Sequence, residues 1–234
     1  MPPRLAIGVI GQPCHLADLL ERAGHTVHAI DPDDDPGAIQ HVDLVVLNGP
    51  AEDIRAIAAD LAPHARPRQM FLHTALEHGP QLLDDVETAH AIVMSAHNLF
   101  DTIWVTSAAD ELGETLVAIL IAEAGGTSIP IQDTDRPAIA AAQHLRALER
   151  TAREDAFDIL RAVLPLDPLH DAFFQAPQAP LPPTTPADLD RLANAIDDPG
   201  ARRLFVDLHR RRAEQTHSTD IELWAYEQYE GTRP

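Results

Sequence analysis

The chain has 234 residues, with 17 basic against 37 acidic side chains and a formal charge of −20 at pH 7. Every basic residue is Arg, which excludes Schiff-base chemistry on a lysine and the lysine-bearing phosphate loop of P-loop NTPases. A surface this acidic repels nucleic acid and anionic lipid, while 45% hydrophobic residues suffice for a packed core.

Taken in order, Leu5-Ala6-Ile7-Gly8-Val9-Ile10 reads as a buried strand ending at Gly11. Leu16, Leu19, Leu20 and Ala23 follow at helical spacing and stop at Gly24. Residues 26–30 and 43–47 read as strands, 52–61 as a helix, and 69–72, 91–94 and 103–106 as further strands. A helix over 110–124 ends in Gly125-Gly126, and 128–131 makes one more short strand. Apolar strands alternating with helices predict an α/β fold with a mainly parallel sheet covered on both faces. After Asp133-Thr134-Asp135-Arg136-Pro137 the pattern becomes helical, with Ile139, Ala142, Leu145, Leu148, Ala152, Phe157, Leu160 and Val163 on one face of a long helix. The expected organisation is therefore a sheet domain over 1–132 and an all-helical domain over 133–234. The latter carries a Pro-rich connector at 176–186 and helices near 186–196, 200–215 and 220–229. One cysteine, no leader-like N-terminus and no apolar run of membrane length predict a cytoplasmic protein with no membrane partner.

Ligands of open parallel sheets bind beyond the carboxyl ends of the strands, so the residues there are the first candidates. They are Gly11-Gln12-Pro13, Asp31, Asn48-Gly49-Pro50, His73-Thr74 and Ser95-Ala96-His97-Asn98. Together they describe a crevice or, singly, ordinary loops, since turns favour the same residues. Asp31 stands 20 positions after Gly11, where dinucleotide-binding folds place an acid on the adenosine ribose. The run Asp31-Pro32-Asp33-Asp34-Asp35 is equally a solvated acidic turn.

The arrangement Ile7-Gly8-Val9-Ile10-Gly11, Leu16-Ala17 and Ala23-Gly24-His25-Thr26-Val27 resembles the NAD(P)-binding Rossmann domain of the 6-phosphogluconate-dehydrogenase-like superfamily. Pyrroline-5-carboxylate reductase and prephenate dehydrogenase are members. Val46 to Ile54 is similar to that family's strand and loop near the nicotinamide. Phe71-Leu72-His73-Thr74 and Met94-Ser95-Ala96-His97-Asn98 resemble two further segments of it. The likeness covers about residues 4–165. It implies a Rossmann-like sheet with a helical C-terminal domain, and NAD or NADP held by Gly11, Gln12, Pro13, Asp31, Asn48, Gly49, Pro50 and Thr74. It also implies hydride transfer with a small carbonyl, imine or hydroxy-acid substrate; the helical domain is expected to form a homodimer through its long helix. The sequence departs from the family at Gly11-Gln12-Pro13-Cys14-His15-Leu16, which keeps only the first glycine of G-x-G-x-x-G. Pro13 also removes an amide from the phosphate cradle. A second reading is therefore a catalytically inactive relative that serves as a ligand-binding or assembly protein.

For the chemistry itself, His97 and His73 are candidate proton donors or acceptors, and Asn98 a candidate anchor for substrate. Against each stands a purely structural role, as the chain has 13 His in all. Arg146 and Arg150, four apart, could bind a carboxylate or pair with Glu149 and Glu154. Arg202-Arg203 and Arg210-Arg211-Arg212 are expected to pair with acidic surface rather than bind nucleic acid. Cys14 reads as a buried small hydrophobe, and no H-E-x-x-H or C-x-x-C spacing suggests a metal.

Overall fold

The computed structural model describes residues 4–31, 36–164, 169–176 and 184–230. Seven strands form one sheet: β1 (Ala6–Gly11), β2 (Thr26–Ile30), β3 (Leu44–Asn48), β4 (Met70–His73), β5 (Ile92–Phe100), β6 (Ile103–Ala108) and β7 (Thr127–Pro130). Their order is β2-β1-β3-β4-β5-β6-β7, and every adjacent pair is parallel except β5 with β6. The chain leaves β1 for β2 on one side and then crosses back to β3 on the other. The reversal of strand order lies between β1 and β3, where Gly11 pairs with Asn48. β2, paired with β1 alone, is an edge strand, and a 3-10 turn, Pro36–His41, precedes β3.

The strands are apolar on both sides because both sides are covered. Leu44 and Val46 of β3 face a core shared with α1 (His15–Arg22) and α4 (Glu111–Glu123). Val45 and Leu47, one residue out of phase, face a second core with α2 (Ala51–Leu61) and the short α3 (Asp84–Glu87). Truncating one fully buried side chain of these cores, such as Leu72, to alanine would cost about 2–5 kcal/mol.

The C-terminal helices are α5 (Arg136–Val163), α6 (Leu169–Gln175), α7 (Pro186–Asn194), α8 (Pro199–Thr216) and α9 (Thr219–Glu230). The chain separates within α5 into two compact units, Met1–Gln143 and His144–Pro234, against an expected boundary at 132/133. In the second unit, Leu189, Ala193, Val206, Trp224 and Ala225 form a core, and the Trp224 indole N–H donates to Asp190 at 2.6 Å. The α6 helix was not expected from sequence; it brings Phe173 and Phe174 against Phe157 of α5. The expected connector over 176–186 lies largely outside the described residues. Among the described residues no helix is long and apolar enough to cross a membrane.

One strand differs from its sequence reading in a way that bears on the site. β5 does not stop near Met94; it continues to Phe100 and turns through Asp101 into antiparallel β6. β4 accompanies it only as far as the His73–Ser95 pair, so residues 96–100 belong to a hairpin projecting past the end of the parallel sheet. His97 and Asn98 are thus strand residues rather than loop residues.

Candidate functional site

The site is built where β1 and β3 end. Gly11 has φ +100, and a Cβ there would lie 2.3 Å from the Asn48 carbonyl oxygen, so only glycine allows the two backbones to meet. The Gln12 amide then donates to that carbonyl at 2.7 Å. The Asn48 side chain returns the contact, its Nδ2 donating to the Gln12 carbonyl at 3.2 Å and the Pro13 carbonyl at 2.7 Å. Beside this knot a cavity of about 330 Å³ opens, lined by Gly11, Gln12, Asn48, Gly49, Pro50 and residues of α2 including Asp53 and Ile57. Its size falls at the lower end of small-molecule sites. Five of the eight residues expected to hold a cofactor line this one space; Pro13, Asp31 and Thr74 do not.

The polar contacts continue along the strand ends. Thr74 Oγ1–H donates to Asn48 Oδ1. The Thr74 carbonyl accepts from His97 Nδ1 at 2.8 Å, and His97 Nε2 meets the Gln143 amide nitrogen at 3.3 Å. A single hydrogen-bonded chain therefore runs from the turn after β1, through β3 and the end of β4, to the β5–β6 hairpin and the first turns of α5. Asn98 takes no part in it: its Nδ2 donates to the Asp101 and Ile103 carbonyls and closes the hairpin turn.

His73 belongs to a different, buried cluster. It is fully inaccessible, its Nε2 lies 2.8 Å from the Gly79 carbonyl, and Nδ1 has no hydrogen-bond partner among the described residues. Burial, aided by the positive charge of Arg136, lowers its pKa to about 4, so the ring is neutral and donates from Nε2. Arg136, 2% exposed, donates to Asp133 at 2.8 Å, to the Leu76 carbonyl at 2.8 Å, and to Ser95 and Ser107 at 2.9 and 2.5 Å. Sequence reading treated this residue as part of a helix start. No local signal distinguishes it, because three of its four acceptors lie 29 to 60 residues away.

The turn between β1 and α1 has the features a diphosphate needs only in part. Gln12 and Pro13 offer no free amide, one being bonded to Asn48 and the other an imino acid. The first turn of α1, however, has no side-chain hydrogen bond capping it, and Gly11, Gln12, Pro13 and His15 are exposed. Cys14 is buried beneath; burial pushes its thiol up despite the Ala17 and Leu16 amides beside it, so it is an inert hydrophobe. The His15 ring stacks on Trp104 of β6, with centroids 6.1 Å apart and planes inclined by 12°. Of this turn, Gly11 and Gln12 line the cavity.

Three of the remaining charged candidates form side-chain ion pairs, and Arg202 donates instead to the Ile196 carbonyl. Arg150 donates to Glu154 at 2.7 Å, and Arg210 and Arg211 both donate to Glu214. Among the described residues, no group of three or more His, Cys, Asp or Glu side chains is placed to hold a metal ion.

Residues 132–228 match the model of the 6-phosphogluconate dehydrogenase C-terminal domain-like family. The resemblance seen in the sequence is met there, although the matched stretch lies mostly beyond the motifs that suggested it. No match is found among curated proteins. Among solved structures, that of Plasmodium falciparum pyrroline carboxylate reductase with NADP bound is similar at a TM-score of 0.57 and 9% identity, over 95% of this chain and 96% of that one. Synechocystis arogenate dehydrogenase is similar at 0.51 and 14% identity, over 97% and 88%. Prephenate dehydrogenase from Aquifex aeolicus is similar at 0.50 and 14%, over 96% and 88%. At these identities the likeness establishes the architecture: a Rossmann-like sheet followed by a helical domain.

Proposed function

We propose that this protein is an NAD(P)-dependent oxidoreductase acting on a small carbonyl, imine or hydroxy-acid substrate. The observation that carries the reading is the cavity at the strand-order reversal, joined by continuous hydrogen bonds to an accessible histidine. Its architecture is that of a reductase solved with NADP bound. Gly11 and the exposed Gln12 side chain would face the diphosphate at the start of α1, and Gly49 and Pro50 would wall the cavity beside it. Asp31, at the end of β2, would meet the ribose. A nicotinamide bound there supplies or accepts the hydride.

The protein's own part is the proton. His97 is half-buried; its Nδ1 faces the Thr74 carbonyl, and Nε2, 3.3 Å from the Gln143 amide nitrogen, would exchange that contact for a proton taken from, or returned to, a hydroxyl or amine. His73 has no route to solvent, and the Asn98 amide is committed to its turn. The proposal therefore places acid–base work on His97 alone. The exposed Leu145 and Leu148 of α5, 72% and 59% accessible, supply an apolar face for a second copy of the chain. A monomer by light scattering at micromolar concentration would remove the dimer from the proposal.

Calorimetric titration with NAD, NADH, NADP and NADPH tests the main claim. A working enzyme binds at least one below roughly millimolar, and no heat with any of the four overturns the reading. With a cofactor in hand, Asp31→Ala should weaken NAD(H) more than NADP(H). His97→Asn should lower kcat by about 10²–10⁴-fold while cofactor affinity stays unchanged.

A further inference from the structure

We infer that Asn48 and Thr74 are positioning residues that hold His97 as a neutral imidazole protonated on Nδ1, and that Gln143 is the partner that follows the state of Nε2. The inference deepens the oxidoreductase reading and rests on it for its purpose, though not for its geometry.

The argument is one of donors and acceptors. A carboxamide has two N–H donors, and those of Asn48 are committed to the Gln12 and Pro13 carbonyls. Its oxygen accepts from the Thr74 hydroxyl. Asn48 therefore has no donor left for a cofactor, and its role is to pin the turn to the end of β4. Thr74, so fixed, presents a backbone carbonyl to His97 Nδ1 at 2.8 Å. A carbonyl only accepts, so a proton sits on Nδ1; the group facing Nε2 is the Gln143 amide nitrogen, which only donates, so Nε2 carries the lone pair. Gln143 must then donate its amide N–H to Nε2 across 3.3 Å. When Nε2 gains a proton, rotation of the Gln143 carboxamide presents its oxygen instead, so each state of the ring finds a partner.

Among the described residues, the hydrogen bonds of the His97 ring are those to Thr74 and Gln143. Val105, opposite His97 on β6, is apolar. The charge near this stretch is Arg136 of α5, which bonds Ser95 two residues earlier and is countered by Asp133. Any ligand that moves the Gln12–Pro13 turn thus reaches His97 through two side chains, Asn48 and Thr74.

The test is ¹⁵N NMR of the histidine rings in the full, cofactor-free chain, with His97 assigned by the signals lost in His97→Asn. Wild type should show the Nδ1–H tautomer. Thr74→Val should give a mixture of tautomers, and Thr74→Ser should restore the single one. Gln143→Glu should keep His97 protonated to a pH higher by about one unit, as a facing carboxylate does. An Nε2–H tautomer in wild type, or an unchanged ring in Thr74→Val, overturns the inference. If Thr74→Val does not fold, Gln143→Glu decides, and an unmoved His97 titration sinks it. A relay seen in these spectra without heat on cofactor titration retires the oxidoreductase reading alone. Cofactor binding with His97 signals indifferent to both substitutions retires the relay alone.

Discussion

Two histidines stand near the carboxyl ends of neighbouring strands, each bonded through one ring nitrogen to a backbone carbonyl, yet their surroundings differ. His97, on the projecting hairpin, is half-buried, and its second nitrogen meets a movable amide. His73, one strand over, is sealed beside Arg136, Asp133 and Gly79, with a second nitrogen that meets nothing described. The comparison teaches that the sheet sorts its polar groups by depth. His97 keeps a ring nitrogen beside a side chain that can rotate, while the buried cluster of His73 and Arg136 ties together segments far apart in sequence.

The largest effect expected from breaking this division is at Arg136. Arg136→Leu leaves the Leu76 carbonyl without its donor and the Ser95–Ser107 pair with only each other; at about 1–3 kcal/mol for each buried acceptor left short, it should cost about 3–5 kcal/mol in denaturant unfolding. A loss below about 1 kcal/mol would make the buried cluster a bystander. Next is the acid sensitivity of His73. Between pH 6.5 and about 4 the unfolded chain binds a proton there that the folded chain refuses. Stability should therefore fall on acidification through that window, by up to about 3 kcal/mol from this group, and be unaffected by it above pH 6.5. His73→Gln, which keeps an N–H for the Gly79 carbonyl, should flatten that slope in urea titrations at pH 7 and pH 5.

On the rim, Gly11→Ala should cost about 1–3 kcal/mol, because an alanine at φ +100 meets the Asn48 carbonyl. It should also abolish whatever the cavity binds, and wild-type affinity in this variant would move the ligand elsewhere. Smallest of all, Arg150→Ala on exposed α5 should change stability by no more than about 0.5 kcal/mol.

The sheet was legible in the sequence because its strands are short apolar runs punctuated by Gly, Pro, Asn and Asp, and those same residues mark the crevice. Gly11, Gln12, Asn48, Gly49 and Pro50 came together as their positions at strand ends implied. What escaped was set by partners distant in sequence. The polar stretch Ser95 to Asn98 ended the apparent strand at Met94, but pairing with β6 extends it to Phe100. Arg136 stood in the sequence only as part of a helix start, and its acceptors include two serines from strands that nothing in the sequence pairs with it. The α6 helix, seven residues long, is too short to announce itself by periodicity.

The stacking of His15 on Trp104 gives the protein an intrinsic optical sensor. Trp104 is one of two tryptophans in the chain, 2% exposed, its indole N–H without an acceptor among the described residues and one face against a ring in the first turn of α1. Excited-state quenching by that imidazole depends on its charge and placement. Anything anionic that settles on the start of α1 should therefore alter the emission of a Trp224→Phe variant, giving a binding signal without a label and without knowledge of the substrate.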